Sequence, residues 1–214
     1  DFYELRVLVT AGPTQEPLDP VRFITNRSSG KMGYAVACAA RDRGAKVTLI
    51  SGPTDLQAPK GVCFISCRTA SEMNDQVLQV FSNYDVLIMT AAVGDFAPRQ
   101  IEKEKIKKNG DDTLTLKLLP TEDVLKNIKA RKIRQFVVGF AAESENLTES
   151  AIEKLRTKNL DLIVANDISS PGIGFQSDSN QVILINKRGD IKKLPLLLKT
   201  EIANLLLDDI INGI

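Results

Sequence analysis

Short apolar runs separated by helix-like segments constrain the fold of this chain more than any other feature of its sequence. The first run, residues 5–11 (LRVLVTA), ends at Gly12, and further strand-like runs occupy residues 46–52, 62–67 and 85–92. Because these runs are almost continuously apolar, each strand must be covered on both faces. Strands of this kind that alternate with helices indicate a parallel sheet between two helical layers.

The helical segments have recognisable starts and ends. Residues 28–45 predict the first helix, with Ser28 or Ser29 as its N-cap and Gly44 at its end. The other expected elements are helix 70–84, helix 121–132 capped by Thr121, strand 135–144, helix 147–160, strand 161–168, a hairpin at 180–194, and helix 195–211 opened by Pro195.

Residues 94–119 interrupt the alternation. They contain Pro98, the charge cluster EKEKIKK (102–108) and the turn NGDD (109–112), between two strand-like pieces that are too polar for the centre of a sheet. We predict an inserted β-arm or flap here. The whole chain, residues 1–214, is then one α/β domain with a doubly wound, Rossmann-like, mostly parallel sheet.

Composition excludes several classes of function. Hydrophobic residues make up 43% and charged residues 26% of the chain, as in ordinary globular domains. The net charge of +1 argues against a general nucleic-acid binder, and no apolar run approaches the roughly 18 residues of a membrane span. No secretory signal is visible at the start, so we expect a cytoplasmic protein.

The absence of histidine limits the possible chemistry. It removes Ser-His-Asp and Cys-His catalysis and most zinc sites. The three cysteines, Cys38, Cys63 and Cys67, form no paired framework. Cys63 and Cys67 fall in one strand-like run, where we expect two core thiols.

Ligands of doubly wound sheets bind outside the carboxyl ends of the strands, so residues 22–33 (RFITNRSSGKMG) attract attention. Ser28, Ser29 and Gly30 lie where a helix begins, and free N–H groups there favour an anion. Arg22 can bind a phosphate or carboxylate through two bonds, and Asn26 can both donate and accept. The alternative is a capped surface helix with solvated cations, but such a long loop in a compact domain is usually functional.

Two familiar nucleotide motifs do not fit these residues. A P-loop needs Ser or Thr after Gly-Lys, whereas Met32 follows Lys31 here. A dinucleotide fingerprint needs three glycines directly after the first strand, whereas Gly12 is followed by more than a dozen residues before Gly30 and Gly33. An NAD(P)-dependent reductase of Rossmann type therefore remains only an alternative, as does a non-catalytic nucleotide-binding module.

The sequence resembles the bacterial phosphopantothenoylcysteine synthetase family. The matching blocks, in order, are GPTQEPLDPVRFITNRSSGKMG (12–33), AAVGDFAP (91–98), EKIKK (104–108), VGFAAES (138–144), KNLDLIVAND (158–167) and GFQSDSN (174–180). The resemblance implies a ligase that joins 4′-phosphopantothenate to L-cysteine through an acyl-cytidylate, using CTP with Mg²⁺ and releasing CMP and pyrophosphate. The resemblance therefore also implies that this reaction is a step of coenzyme A biosynthesis.

The resemblance also implies roles for individual residues. Asn26 would hold the acyl-cytidylate, Arg22 would contact the same intermediate or the substrate, and Lys105 would act on the triphosphate during activation. Substrate-binding residues would be Arg22, Asn26, Ser28, Ser29, Gly30, Lys31 and Gly33. Nucleotide-binding residues would be Met89, Thr90, Ala91, Asp95, Lys105, Glu122, Asp123, Val124, Leu125, Phe140, Lys154 and Lys158.

Several of these residues have a plain structural alternative when taken alone. Phe140 would then be a core phenylalanine, Asp95 a turn residue, and Lys154 and Lys158 a solvated pair on one helix face. Asn166, Asp167, Asp178 and Asn180 lie in matching blocks without an implied role. Gly94 stands where the family is expected to have alanine.

The family implies an assembly as well. Its members are dimers, so we expect a homodimer through the AAVGD block (91–95) and the arm, which would close over the site as a lid. In many bacteria the domain is fused to a flavin-dependent decarboxylase. That half is absent from this sequence, so the chain is expected to be either a stand-alone synthetase or a domain of such a bifunctional protein.

Overall fold

The structure, a computed structural model, describes residues 1–108, 110, 113–143, 146–167 and 176–214. The helices are α1 (Lys31–Asp42), α2 (Ala70–Val80), α3 (Val124–Lys129), α4 (Leu147–Thr157) and α5 (Lys199–Ile211). The strands are β1 (Arg6–Ala11), β2 (Gln15–Pro17), β3 (Phe23–Thr25), β4 (Lys46–Ser51), β5 (Cys63–Ser66), β6 (Val86–Met89), β7 (Phe96–Pro98), β8 (Leu118–Pro120), β9 (Phe136–Glu143), β10 (Leu162–Asp167), β11 (Ser179–Asn180), β12 (Val182–Asn186), β13 (Ile191–Lys193) and β14 (Leu197–Leu198).

Eight of the described strands form one sheet in the order β13-β12-β10-β9-β6-β1-β4-β5. All neighbours from β10 to β5 are parallel, and β12 and β13 add an antiparallel edge. The strand order reverses at β1, which pairs with β4 on one side and β6 on the other. The predicted doubly wound, mostly parallel sheet is therefore confirmed, and a ligand crevice is expected at the carboxyl ends of β1 and β6.

Alternate residues of each buried strand pack against different helical layers. Val7 and Val9 of β1 belong to an apolar cluster with α1 and α5, whereas Leu8 belongs to a cluster with α2, α3 and α4. All three side chains are fully buried. The two-residue period of the strand therefore fixes which helices lie on each face of the sheet. Within the described residues, no helix is long and apolar enough to cross a membrane.

The loop after β1 contains a hairpin that the sequence did not suggest. Strand β2 pairs antiparallel with β3, from Gln15 opposite Thr25 to Pro17 opposite Phe23. Three-residue strands next to prolines and aspartate carry too little periodicity to be recognised in a sequence. The fourth predicted strand, 85–92, also differs, because β6 ends at Met89 and Ala92 beyond it forms only an isolated bridge with Pro13.

The predicted helix caps are wrong at three helices. Helix α1 is capped by Gly30 in the left-handed region (φ 76°), with no bond from a serine side chain. Helix α3 is capped by Asp123, which accepts from the N–H of Lys126 at 2.9 Å, so Thr121 is not the cap. Helix α5 begins at Lys199 rather than Pro195, because residues 197–198 pair as β14 with β11.

The inserted arm is present, but its strands are shorter than expected. Strands β7 and β8 pair antiparallel at its base. Residues 101–108 and 113–117 are extended or bent chain without strand pairing, and the predicted NGDD turn lies largely outside the described residues. The expectation of two core thiols is wrong for Cys63, which is exposed on the edge strand β5, whereas Cys67 is buried.

Candidate active site

A cavity of about 920 Å³ opens at the carboxyl edge of the sheet, next to the point where the strand order reverses. Its volume is at the upper end of the range for small-molecule sites. Helix α1 and the preceding loop line it from one side, and the start of α3 and the side of α4 line it from the other. The cavity brings together seventeen predicted site residues, namely Asn26, Ser28, Ser29, Gly30, Lys31, Gly33, Met89, Thr90, Ala91, Asp95, Glu122, Asp123, Val124, Leu125, Phe140, Lys154 and Lys158.

Two glycines let helix α1 begin close to the sheet. A Cβ atom on Gly33 would lie 2.4 Å from Thr90 Oγ1 and 2.6 Å from Ala11 Cβ. One on Gly30 would lie 2.7 Å from a methyl carbon of Thr54, and its positive φ disfavours other residues there. The amino end of α1, with its unpaired N–H groups, therefore faces the cavity at close range. Ser28 Oγ accepts from the N–H of Gly30 at 3.3 Å, so it shapes this loop.

Asn26 is held in one orientation by two backbone carbonyls. Its Nδ2 donates to the carbonyl of Ala92 at 3.2 Å and to that of Val93 at 3.0 Å. Carbonyl oxygens only accept, so the amide nitrogen must face them and Oδ1 must point away. The acceptor oxygen of Asn26 is therefore the atom offered to a ligand in the cavity.

The segment after β6 is tied to the end of the arm. Thr121 donates through Oγ1 to the carbonyl of Gly94 at 2.5 Å and through its N–H to the carbonyl of Asp95 at 2.9 Å. Gly94 in turn donates its N–H to Thr14 Oγ1 at 2.8 Å. These bonds hold the exposed Asp95 carboxylate beside the amino end of α3, where it can accept from a ligand amino group.

Opposite charges meet at the mouth of the cavity, where Lys158 donates to Asp123 Oδ2. Burial alone would raise the pKa of the Asp123 carboxyl, but the bonds from Lys158 and from the N–H of Lys126 hold that pKa below its usual value. Glu122 also has a partner, since it accepts from Asn74 Nδ2 of α2. The carboxylates of Asp123 and Glu122 therefore already have partners that stabilise the start of α3.

Phe140 and Thr90 line the cavity from the strand ends of the sheet. Phe140 is half-buried and packs at the margin of the α1–α5 cluster, so one side of its ring is covered and the rest faces the cavity. Thr90 Oγ1 donates to the carbonyl of Thr10 at 2.6 Å, which fixes the chain as it leaves β6. The half-buried ring of Phe140 is held in place by this packing and can stack against the plane of a nucleobase.

Arg22 and Lys105, two of the predicted residues, are not among those that line the cavity. Arg22 Nη1 lies 3.3 Å from Asp19 Oδ2 and donates to the carbonyl of Ile106 at 3.1 Å. Asp19 is buried and also accepts from the N–H of Ile106 at 3.1 Å. The β2–β3 turn therefore holds the arm next to Lys105, and both cations lie together outside the cavity.

Among the lining residues that were not assigned from the sequence, three are buried and polar: Asn166, Asn180 and Lys199. Each is at most 8% exposed. Asn166 Oδ1 is a buried acceptor with no hydrogen-bond partner in the part of the chain that the structure describes. No sequence signal marks Lys199, because the predicted helix begins at Pro195, and only the structure places Lys199 at a helix start, where a cation is disfavoured.

The described residues contain no group of three or more Asp, Glu, Cys or His side chains that could hold a metal ion. A divalent cation in this cavity would therefore need oxygen ligands from a bound phosphate, which is how Mg²⁺ commonly binds in phosphate-using enzymes.

The chain matches the family model of the DNA/pantothenate metabolism flavoprotein C-terminal domain over residues 2–214. It is 47% identical over 205 residues to the coenzyme A biosynthesis bifunctional protein CoaBC of Bacillus subtilis. That match covers 95% of this chain and 50% of the relative, so the chain spans about half the length of the curated relative it matches.

Solved structures share the fold. The crystal structure of the C-terminal domain of CoaBC superposes with a TM-score of 0.84 at 42% identity and covers 98% of this chain and 95% of that one. A Cab2 variant in complex with phosphopantothenate-cysteine gives a TM-score of 0.76 at 18% identity, covering 97% of this chain and 85% of that one. At that identity the second likeness concerns the fold alone.

Proposed function

The chain belongs to the family of the DNA/pantothenate metabolism flavoprotein C-terminal domain, and on this premise we propose that it joins 4′-phosphopantothenate to L-cysteine. The observation that carries the proposal is one cavity in which Asn26, the amino ends of α1 and α3, and the lysines of α4 all meet. In a related fold, the Cab2 variant holds the product of this reaction.

The proposed reaction has two steps. A carboxylate oxygen of phosphopantothenate attacks the α-phosphorus of CTP, and pyrophosphate leaves with the bonding electron pair. The amine of cysteine then attacks the acyl carbon of the acyl-cytidylate, CMP leaves and the amine loses a proton. Neither step needs histidine, because the carboxylate is already a nucleophile and CMP is a good leaving group. The protein contributes position and charge neutralisation.

We assign the triphosphate to the α3–α4 side of the cavity. The cytosine would reach across the sheet edge to the partly exposed ring of Phe140, which packs with the α1–α5 layer, and Asp95 can accept from its amino group. Lys154 and Lys158 of α4 would neutralise the phosphates, with Mg²⁺ carried on the triphosphate. Lys158 must leave Asp123 to reach a phosphate, so nucleotide binding exchanges one ion pair for another.

Asn26 lies where the carboxylate and the amine would meet. Its Oδ1 is an acceptor, so it suits the N–H of the attacking cysteine amine, while its two bonded N–H groups keep the oxygen in place. Arg22 and Lys105 act in the proposal through movement of the arm or through a second subunit, because they lie outside the cavity of this chain.

We further propose a homodimer in which residues 91–95 and the arm form the contact. The arm exposes several large apolar side chains, namely Phe96, Ile101, Leu114, Leu116, Leu118 and Leu119. Such a patch is typical of a surface that another chain covers. The fusion to a flavin-dependent decarboxylase belongs to the same proposal, since the relative is about twice as long as this chain.

The direct test is incubation of the protein with CTP, phosphopantothenate and cysteine. We expect pyrophosphate and CMP in equal amounts, together with the amide product. Omission of cysteine should leave pyrophosphate release limited to about one equivalent per site, since the acyl-cytidylate stays bound. Oxidation of NADPH instead would indicate a reductase, and tight CTP binding without pyrophosphate would indicate a nucleotide-binding module. Replacing CTP by ATP tests the base preference that Asp95 and Phe140 are proposed to set.

A further inference from the structure

Lys199 occupies a place that is costly for a cation. It is 5% exposed and is the first residue of α5, where the helix dipole favours negative charge. Lys31 is likewise the first residue of α1, which has no acidic residue in its first turn. Both lysines line the cavity. A cation at the amino end of a helix is unfavourable, and here it occurs twice at one site. We take this to indicate that the two charges serve function rather than stability.

The carboxylate of Asp178 lies close to both lysines. Lys31 Nζ lies 2.6 Å from Asp178 Oδ1, and the carbonyl of Asp178 accepts from the N–H of Lys199 at 2.9 Å. Burial lowers the pKa of the Lys199 ammonium, and the nearby charge of Lys31 lowers it further, while Asp178 acts in the opposite direction. An anion bound between the lysines would relieve this repulsion.

Neutral polar groups complete this end of the cavity. Asn166, at the end of β10, has the buried Oδ1 that lacks a partner among the described residues. Asn180 is 4% exposed, and its Oδ1 accepts from the N–H of Gln181 at 2.9 Å. Buried acceptors without partners are rare in proteins, and at a cavity wall they indicate a group that a ligand donates to.

The cavity thus has two cationic ends on opposite faces of the sheet. Lys154 lies on α4 and Lys158 caps its carboxyl end, and this helix packs with α2 and α3, whereas Lys31 and Lys199 belong to the α1–α5 layer. The proposed reaction uses two anionic substrates, a nucleoside triphosphate and an acid that carries a phosphomonoester. Its reacting carboxylate must meet the nucleotide near Asn26, so its phosphate must extend away from α4.

We propose that Lys199, together with Lys31, binds the phosphomonoester of the acid substrate at the α1–α5 end of the cavity, and that a donor group of that substrate bonds to Asn166 Oδ1. This inference rests on the proposed function. It makes Lys199 the residue that distinguishes the phosphorylated acid from the same acid without phosphate.

The test compares phosphopantothenate with pantothenate as the acid substrate of wild type, Lys199→Met and Lys199→Arg. The control is Lys193→Met, an exposed lysine on β13 that does not line the cavity. In Lys199→Met we expect KM for phosphopantothenate to rise about 10- to 100-fold, as for a lost charge-assisted hydrogen bond. KM for CTP, KM for pantothenate and kcat should stay near wild type, and Lys199→Arg should recover part of the loss.

A second measurement uses the wild-type protein alone. Inorganic phosphate should inhibit competitively against phosphopantothenate and not against CTP. A rise in KM for CTP in Lys199→Met, an unchanged KM for phosphopantothenate, or phosphate competition against CTP alone would each overturn the inference. These outcomes differ from failure of the proposed function, in which wild type releases no pyrophosphate with either acid.

Discussion

The side-chain nitrogen of Asn26 lies 3.0 Å from the carbonyl oxygen of Val93, across the gap between the loop before α1 and the loop after β6. The same nitrogen also reaches the carbonyl of Ala92. One amide thus joins two loops at the centre of the cavity and leaves a single oxygen for the ligand. The chemistry proposed for Asn26 depends on this fixed orientation.

We expect Asn26→Asp to retain activation and to slow amide formation. A carboxylate would face the carbonyls of Ala92 and Val93 without a proton to share, so the side chain would turn and lose its position. A loss of about 100-fold in the second step is expected for one misplaced group of this kind. Rapid quench would show pyrophosphate release near the wild-type rate and accumulation of acyl-cytidylate. The control is Asn212→Asp at the end of α5, and equal slowing of both steps would contradict the role.

The variant Asp123→Asn removes the ion pair of Asp123 with Lys158 but keeps a residue that can cap α3. Asparagine caps helices as well as aspartate, so α3 should persist while Lys158 loses its carboxylate partner. We expect CTP to bind about two- to fivefold more tightly, because the competing surface pair is worth up to about 1 kcal/mol. Calorimetric titration measures this, with Lys158→Met as the matched variant that should bind CTP more weakly. Weaker binding in both variants would mean that Asp123 itself contacts the nucleotide.

Asp19→Ala should free the arm from the β2–β3 turn. Asp19 accepts from the N–H groups of Val21 at 2.8 Å, Arg22 at 2.7 Å and Ile106 at 3.1 Å, and it also pairs with the Arg22 side chain. Without these bonds we expect trypsin to cleave residues 102–108 about tenfold faster than in wild type. Asp55→Ala, an exposed position elsewhere, serves as control. Cleavage at the wild-type rate would show that the arm is held by other contacts.

The stability of the amino edge of the sheet should depend on pH through Asp161. Burial alone would raise its pKa, but bonds from Lys132, Lys187 and the N–H of Val137 hold that pKa below its ordinary value. A carboxyl with a lowered pKa stabilises the fold above its unfolded pKa of about 3.9, and this stabilisation is lost as pH falls through the folded value. We expect Asp161→Asn to cost about 2 kcal/mol in urea unfolding at pH 7.

The difference between Asp161→Asn and wild type should begin to shrink as the pH falls below the unfolded pKa of about 3.9, because the unfolded carboxyl is then protonated, and it should vanish once the folded carboxyl is protonated too. Asp55→Asn, a change at an exposed position, should unfold like wild type at every pH. A difference that persists unchanged at pH 3 would assign the loss to packing rather than to charge.

Two glycine-to-alanine changes test the close approach of α1. At Gly33 a Cβ would collide with Thr90 Oγ1 and Ala11 Cβ, whereas at Gly94 it would lie an ordinary 3.4 Å from Thr14 Oγ1. We expect Gly33→Ala to lower the free energy of unfolding by about 1–3 kcal/mol and to weaken ligand binding. Gly94→Ala should be neutral in both respects. Equal effects of the two changes would contradict the proposed close packing.

The sequence predicted the parts of this fold that depend on periodicity. Continuous apolar runs in β1, β4 and β6 indicated a parallel sheet, and their ends located the cavity. Helix starts were less predictable, because serine and proline near α1 and α5 offer several caps of similar quality. The observed starts depend on distant contacts, such as pairing of β14 with β11, which local sequence does not encode.

The lining of the cavity was predicted for residues to which the family resemblance assigns a role. It was not predicted for residues that only the packing of distant elements brings to the cavity. Asn26 and Phe140 were expected and do line the cavity. Lys199 was missed because one lysine in an amphipathic helix carries no pattern, and only packing of α5 against α1 brings it to the cavity. Arg22 and Lys105 show the reverse, since their implied roles require an approach that one copy of the chain does not provide.

The packing of α1 on α5 has a consequence for synthesis. Helix α1 is the first helix of the described chain to be made, yet the partner that covers its apolar face is the last. Until residues 199–211 have been synthesised, Tyr34, Val36 and Ala40 can pack only against the strands made before them, and the side that α5 later covers faces water. Contact between α1 and α5 can therefore form only after the rest of this domain has been made, and the proposed anion site at the two helix starts is among the last features to form.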